Sequence, residues 1–467
     1  MLEIVIVVLA LGFVGFLITK KVTASAALLA GGMLLLAISI VMGNVDNNAY
    51  FPPDSQNFTG VGLVDQLQVM KGIVTKNLTG SGLIIMVLFG YMAFMDALGA
   101  NAKAVTVLSR PLLKMRGSTQ FLLVPLAFIV VNLMSLAVPS GATLAVLLGA
   151  TFYPALVGAG MTPLTSAAII ATSATIMPSP LGADSIEAAH QLGITVGEYT
   201  FGNNAKISIP AIIVMAVVHT VWQRIQDRQD ALKGLKIGNY GTSEKGQEEA
   251  KVVPNFYALF PVLPLLSVLV LYVLKQAGKL DFEVGLVEIT FGCLFVTVIV
   301  EVIRQRELFN TVGHLASFFK GMGNAVASVV SIIIAAGFLI EGIQQMGVLT
   351  RLLDSVAGIH GAAVLIGLAF AGVAILLGMM TGSGVAAFFG LIPVVPGVAA
   401  STGTAGVVLS VPLQHAASLA RAGSPVAAST LISAGIAGVE PQQLLKRTWP
   451  VVFSGIATSF ILSWIVL

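Results

Sequence analysis

Charge is what this sequence has least of. Only 10% of its 467 residues are charged and 57% are hydrophobic, whereas roughly a quarter of a soluble domain is charged. That balance excludes an ordinary water-soluble enzyme. Cysteine is nearly absent as well: Cys293 stands alone, which excludes a disulfide framework or a cysteine metal centre within one chain. The five histidines, His190, His219, His314, His360 and His415, show no paired metal-ligand spacing. There is no H-E-x-x-H, so zinc-protease chemistry is excluded. Ser383 with His415 is the best serine–histidine pair on offer, and nothing orients it. A net charge of +3 without a clustered basic face excludes a nucleic-acid partner, and no cofactor motif is present. What abounds is apolar sequence with 49 glycines and 16 methionines, as in helices packed closely within a lipid bilayer. The chain reads as an all-α polytopic membrane protein, not an enzyme.

A spanning helix needs about 20 apolar residues. Runs near that length begin at 2–19, 24–43 and 81–99 in the first half and at 255–274, 284–303 and 322–345 in the second. Met1–Thr19 has Glu3 in front and Lys20-Lys21 behind, the reverse of a secretory signal, and reads as a retained first helix. Two pairs of runs are joined by uncharged breaks: 120–137 to 142–160 through Val138-Pro139-Ser140-Gly141, and 360–380 to 385–400 through Thr381-Gly382-Ser383-Gly384. Such breaks suit the tips of re-entrant hairpins, whose freed backbone groups can bind a solute.

Placing Lys20-Lys21 and segments 100–119, 224–254, 304–321 and 439–449 inside puts 17 of the 24 Lys and Arg residues inside. Six fall outside, and Arg421 is left within an apolar stretch. Segments 44–80, 184–205, 275–283 and 346–359 are then outside, as are both termini. Glu187 and His190 fall in the outer loop.

The halves match at an offset of about 242–245 residues. Ser140-Gly141 pairs with Ser383-Gly384, Pro154 with Pro396, Ser179-Pro180-Leu181-Gly182 with Ser424-Pro425-Val426-Ala427, and Asp96 with Glu341. Each half reads as five spans plus one re-entrant hairpin. An odd number of spans inverts the second half relative to the first, and inverted repeats with opposed hairpins indicate a secondary transporter. The repeats are 1–223 and 255–467, joined by a cytoplasmic linker, 224–254.

Helix N-termini at the tips and breaks present free N–H groups suited to carboxylates. The substrate-site candidates are Ser140, Gly141, Thr143, Ser179, Pro180, Gly182, Thr381, Gly382, Ser383, Gly384, Arg421, Ser424 and Pro425; Ser173 adds a further hydroxyl. Any single Ser or Thr among them can equally be interhelical glue. Arg421, immediately before the second break, needs an anionic partner, and a substrate carboxylate is the favoured one. Thr175, Asp184 and Ser418 are candidates for a coupling cation: hydroxyls and carbonyls for a sodium site, or Asp184 for a proton. A metal site beyond sodium is not expected. Asp96 and Glu341 read as hydrated helix ends, and His415 as a packed neutral side chain.

Met134-Ser135-Leu136-Ala137-Val138 before the first tip, Thr381-Gly382-Ser383-Gly384 at the second, and Leu419-Ala420-Arg421-Ala422-Gly423-Ser424-Pro425-Val426 at the second break resemble the anaerobic C4-dicarboxylate carriers of the Dcu-C type. His219-Thr220-Val221-Trp222-Gln223-Arg224 adds to the likeness, which runs along essentially the whole chain. The resemblance implies an elevator-type carrier of succinate, fumarate, malate or aspartate in a bacterial inner membrane, working by exchange or cation-coupled movement. It further implies a homodimer with scaffold segments at 1–80 and 255–321 and transport segments at 81–223 and 322–467. Pro139-Ser140-Gly141 and the long polar loop 44–80 depart from the family's pattern. A carrier of another organic anion or an amino acid is the alternative.

Overall fold

A computed structural model describes residues 2–45, 59–113, 120–138, 140–232, 253–306, 308–356 and 361–467. Pro139 of the first tip, the loop 46–58 and most of the linker, 233–252, lie outside the described residues. The described chain is all helical. Eleven of its helices are long and apolar enough to cross a membrane.

The first half runs α1 (Leu2–Thr19), α2 (Ala24–Met42), α3 (Gly62–Asn77), α4 (Leu83–Leu98), α5 (Ala100–Leu113), α6 (Gln120–Met134), α7 (Gly141–Gly158), α8 (Pro163–Ala171), α9 (Ala183–Leu192) and α10 (Ala205–Leu232). The second half runs α11 (Leu263–Gln276), α12 (Leu286–Gln305), α13 (Leu308–Ala325), α14 (Ser331–Gln345), α15 (Val348–Val356), α16 (Ala362–Thr381), α17 (Gly384–Leu391), α18 (Val395–Thr402), α19 (Gly406–Ala422), α20 (Ala428–Ala437) and α21 (Pro441–Val466).

Two expected loops prove to be helix. Gly62–Leu98 is helical over 37 residues but kinked at Gly80, within a π-helical turn at Leu78–Gly82, so much of the 44–80 segment is not loop. Thr311–Gln345 is continuous, through a π-helical turn at Val326–Val330, and takes in most of 304–321. The polar residues of α3 misled the hydropathy reading. Asp65 is buried, accepting from Thr59 N at 2.8 Å and Thr59 Oγ1 at 2.9 Å. The expected boundary 80/81 coincides with a kink at Gly80, whose backbone is non-helical (ψ -119°), and 321/322 lies within α13.

The expected outer loop 184–205 is also helical: α9 is followed by a π-helical turn at Glu198–Asn204. Its Ser185–Ala189 segment is buried, and Glu187 is only 1% exposed. Five of ten residues in α9 are polar or charged, which by composition reads as solvated sequence, but its neighbours cover it.

Two groups of closely packed helices stand out, with a hydrophobic core running between them. α14 lies along α2, and α4 lies along α13 and α12. Tyr91, Phe94, Tyr257, Phe260 and Phe318 fill the core between α4, the 3-10 turn Asn255–Val262, α12 and α13. In the other set α10 packs on α21, α16 on α19, and α20 on α7 and α8. Small residues make these approaches close: a Cβ at Gly32 would meet the Phe338 and Leu339 backbone at 2.6 Å.

Candidate substrate site

At both expected tips a serine caps the helix that follows. Ser140 Oγ accepts from Thr143 N at 3.4 Å, and Ser383 Oγ accepts from Ala386 N at 3.3 Å. An N-cap occupies one of the free donors at a helix start, so each serine hydroxyl is partly committed to its own helix. Thr143 Oγ1 also donates to Ser140 Oγ at 3.0 Å. The equivalence of Pro154 and Pro396 is one of position only: Pro154 lies inside α7, whereas Pro396 opens α18.

The first break is wider than its Ser-Pro signature. Helix α8 stops at Ala171, and 172–182 are non-helical until α9 begins. Ala174 within it adopts φ +52°, the left-handed region that a Cβ disfavours. Thr175 Oγ1 turns back to Thr172 O at 3.1 Å. The second break is shorter, 423–427. The two close with the same local turn: Leu181 N donates to Ser179 Oγ at 3.2 Å, and Val426 N donates to Ser424 Oγ at 3.3 Å.

Arg421 gathers these pieces. Its Nη2 donates to the Ala174 carbonyl of the first break at 2.7 Å, and its Nη1 donates to Ser429 Oγ, just past the second break, at 3.3 Å. A Cβ placed on Gly141 at the first tip would lie 2.3 Å from Arg421 Nη1, so a larger residue there would move the guanidinium from this place. No carboxylate forms an ion pair with Arg421 among the described residues. Asp184, in the first turn of α9, makes no ion pair with it.

The second tip packs on the same region from the other side. Ser424 Oγ donates to Met379 O at 2.6 Å. Gly382 has φ +67°, and a Cβ there would sit 2.9 Å from the Ala427 backbone. A Cβ on Gly384 would meet Ala417 O at 2.6 Å and Ser418 Cα at 3.0 Å. Thr381 Oγ1 donates back to Leu377 O and caps Ser383 N. Gly141, Arg421 and both breaks are thus brought together, with Thr381–Gly384 against the second. Ser179, Pro180 and Gly182 shape the exit of the first break, where Gly182 lies close to Asp184 Oδ1.

Sequence reasoning missed the backbone and network partners. Ala174 and Ser429 carry no signal beyond their place in the breaks. Gln414 Oε1 accepts from Tyr199 OH at 2.8 Å and from Asn204 Nδ2 at 2.9 Å, while Gln414 Nε2 donates to Ser185 Oγ at 3.2 Å. Asn204 Oδ1 is left to accept from His415 Nε2 at 3.1 Å, and His415 Nδ1 faces Ser459 Oγ at 2.8 Å. Both ring nitrogens are satisfied in the neutral imidazole, in keeping with a packed histidine. Asp96 is not simply hydrated, since Asn101 Nδ2 donates to it at 2.5 Å. Glu341 is buried and accepts from Gln345 at 3.0 Å.

A second arginine, Arg447, was read as a loop residue and is 2% exposed at the start of α21. It bonds Asp227 at 2.6 Å and Asp230 at 2.5 Å. Two acids three residues apart on α10 were the available signal.

The sequence profile of the C4-dicarboxylate anaerobic carriers, DcuC, matches residues 2–467. The chain belongs to the DcuC family. It is 31% identical to the anaerobic C4-dicarboxylate transporter DcuC of Escherichia coli K12 over 447 residues, covering 96% of this chain and 93% of that one. A probable anaerobic C4-dicarboxylate transporter DcuC of Vibrio cholerae is 30% identical over 466 residues, 99% and 97% of the two chains. Among solved structures, the Alcanivorax borkumensis YdaH transporter aligns with TM-score 0.57 at 16% identity over 95% of this chain and 98% of that one. Neisseria gonorrhoeae MtrF, titled as one of a class of antimetabolite efflux pumps, aligns with TM-score 0.53 at 12% identity over 96% and 95%. At those identities the likeness is one of fold. As a DcuC member the chain is a multi-pass membrane transporter, not an enzyme.

Proposed function

We propose that this DcuC-family chain carries C4-dicarboxylates, among them succinate, fumarate, malate and aspartate, across the bacterial inner membrane by exchange or cation-coupled movement. The observation that carries the reading is the Arg421 guanidinium, held between the two breaks with no carboxylate of the described protein paired to it. A half-buried arginine within an apolar stretch favours an anion, and its planar fork matches a carboxylate. One substrate carboxylate is taken by Arg421 beside Gly141 and Ser429. The second is taken by hydroxyl and backbone N–H donors of the tips and breaks, Ser140, Thr143 and Thr381–Gly384 among them.

The movement is of elevator type, with two inverted repeats. Matched tips, matched Ser-Pro turns and a matched polar contact support the repeat: Thr172 faces His219 at 2.8 Å as His415 faces Ser459. The expected division puts 1–80 and 255–321 in the scaffold and 81–223 and 322–467 in the transport unit; the packing of α14 on α2 and of α4 on α13 favours drawing the frame as α1–α5 and α11–α15 and the moving unit as α6–α10 and α16–α21. Both termini lie outside. Long-range pairings support this partition: Arg447 to Asp227 and Asp230, and Arg351 to Glu3, each join segments assigned to one side, and Arg110 reaches Asn255, next to the end of the inside linker. The working unit is a homodimer.

The test is counterflow in proteoliposomes loaded with fumarate, following labelled succinate entry with and without sodium. Exchange above protein-free vesicles is expected. Its absence from folded protein discards the dicarboxylate assignment and points to another organic anion.

A further inference from the structure

Helix α9 brings a buried acid to within one turn of the substrate site. Glu187 is 1% exposed, and Gln191 Nε2 donates to its Oε1 at 2.7 Å. Its Oε2 is buried with no hydrogen-bond partner, and no cationic side chain pairs with it among the described residues. A buried carboxylate oxygen with neither a hydrogen-bond partner nor a counter-charge is placed to bind a cation. The elements packed on α9 carry further orphaned oxygens. Ser81 Oγ, in the π-helical turn Leu78–Gly82, and Thr200 Oγ1, in the turn Glu198–Asn204, are buried and unpartnered. Wide π turns recur at functional sites.

Glu187 follows Asp184 by three residues, about 4.5 Å of helix rise, and on the same face. Helix α9 in turn packs on α19, which carries Arg421. A charged Glu187, Asp184 and a dianion at Arg421 would place negative charges close together in a poorly solvated region. Neutralising Glu187 removes one of them, so cation and dianion favour each other's binding.

Resting on the reading of the chain as a cation-coupled dicarboxylate carrier, we propose that Glu187 is the residue that holds the coupling cation, a proton or Na⁺. The titratable or charged side chains on the elements packed against α9 are Glu198 and Tyr199 on the second π turn, His415 and Arg421 on α19, and Tyr91 and Asp96 on α4. On α9 itself they are Asp184 and His190. Only Arg421 among these is a fixed cation, and it bonds Ala174 and Ser429 rather than Glu187. A cavity of about 310 Å³, lined by Ile186, Ala189 and His190 together with Tyr272, Lys275 and Glu283, reaches α9 beside the outer segment 275–283.

The experiment compares wild type with Glu187→Gln in proteoliposomes. Succinate counterflow is measured without gradients, and succinate accumulation under an inward proton gradient or an inward sodium gradient. In wild type one gradient drives accumulation, which identifies the ion. In Glu187→Gln, counterflow persists while gradient-driven accumulation falls about tenfold or more, a loss within the ordinary range of coupling between two sites. Retained gradient stimulation in Glu187→Gln overturns the proposal, and so does loss of counterflow in a variant that elutes as folded protein. Should Glu187→Gln not fold, Glu187→Asp decides. Its shorter carboxylate shifts the half-activating proton or sodium concentration about threefold or more, and an unshifted value overturns the assignment. Wild type that exchanges, yet is driven by neither gradient, overturns this inference and leaves the carrier reading standing. Wild type without counterflow removes the carrier reading itself.

Discussion

The Arg421 guanidinium donates to the Ala174 carbonyl across 2.7 Å, joining residues 247 positions apart and the two unwound segments of the fold. One partner is a charged side chain at the end of α19. The other is a backbone oxygen turned inward by a left-handed alanine. The contact orients the guanidinium, yet a neutral carbonyl does not neutralise it. An incoming carboxylate therefore meets an oriented cation whose charge is still unpaired.

Arg421→Ala should abolish counterflow while the protein still inserts and elutes as wild type. Loss of a charge-assisted bidentate contact costs about 3 kcal/mol, or a hundredfold or more in transport. Arg421→Lys should recover only part of it, because an ammonium cannot make the two-pronged contact. Initial rates at several succinate concentrations check both, and normal transport by Arg421→Ala removes this residue from the site.

Gly141→Ala tests the close approach at the first tip. The new methyl would lie 2.3 Å from Arg421 Nη1 and push the guanidinium aside. The half-saturating succinate concentration should rise about tenfold, equivalent to about 1.4 kcal/mol. Gly158→Ala, in the last position of the same helix with open space around it, is the control and should transport as wild type. Equal behaviour of the two variants would show that the tip does not constrain Arg421.

Much of this arrangement was legible because membrane insertion imposes strong rules. Apolar runs gave most of the spans, and uncharged Gly-Ser-Pro breaks gave both hairpin tips and both interrupted helices. Arg421 stood out because an isolated arginine in an apolar stretch demands an explanation. The failures came where polar sequence is buried by neighbours instead of by its own composition. Helix α3 carries Asp65 and Gln66 inward, and α9 carries Glu187 inward. Both resemble solvated loops until the helices around them are known. The Ala174 carbonyl was invisible for another reason: backbone acceptors exist at every residue, and only a conformation selects one.

Arg447 should matter for stability rather than for selectivity. It is 2% exposed and joins α21 to α10 through Asp227 and Asp230, while Asp227 also accepts from Thr162 and Thr165 of the α8 start at 2.9 and 3.0 Å. Removing one partner strands the others, at a cost of about 3–5 kcal/mol. Arg447→Ala should lower the thermal unfolding midpoint in detergent markedly. Succinate half-saturation should stay near wild type in whatever protein remains folded. A large change in half-saturation with unchanged thermal stability would place Arg447 in the transport path instead.

The orientation can be tested with single cysteines on a Cys293→Ser background, since Cys293 is the chain's one thiol. Lys279 lies in the exposed 275–283 segment, assigned outside, and Gln443 is exposed at the start of α21, assigned inside. With both termini outside, an impermeant maleimide applied to intact spheroplasts should label Lys279→Cys and spare Gln443→Cys until the membrane is opened. The reverse pattern would invert the whole molecule, because the positive-inside argument and the same-side pairings fix the segments relative to one another and not one at a time. Labelling of both positions in intact cells would break the partition itself. Lys446 and Arg447 would then have to share a side with Lys279, and the inverted relation between the two halves would fail with it.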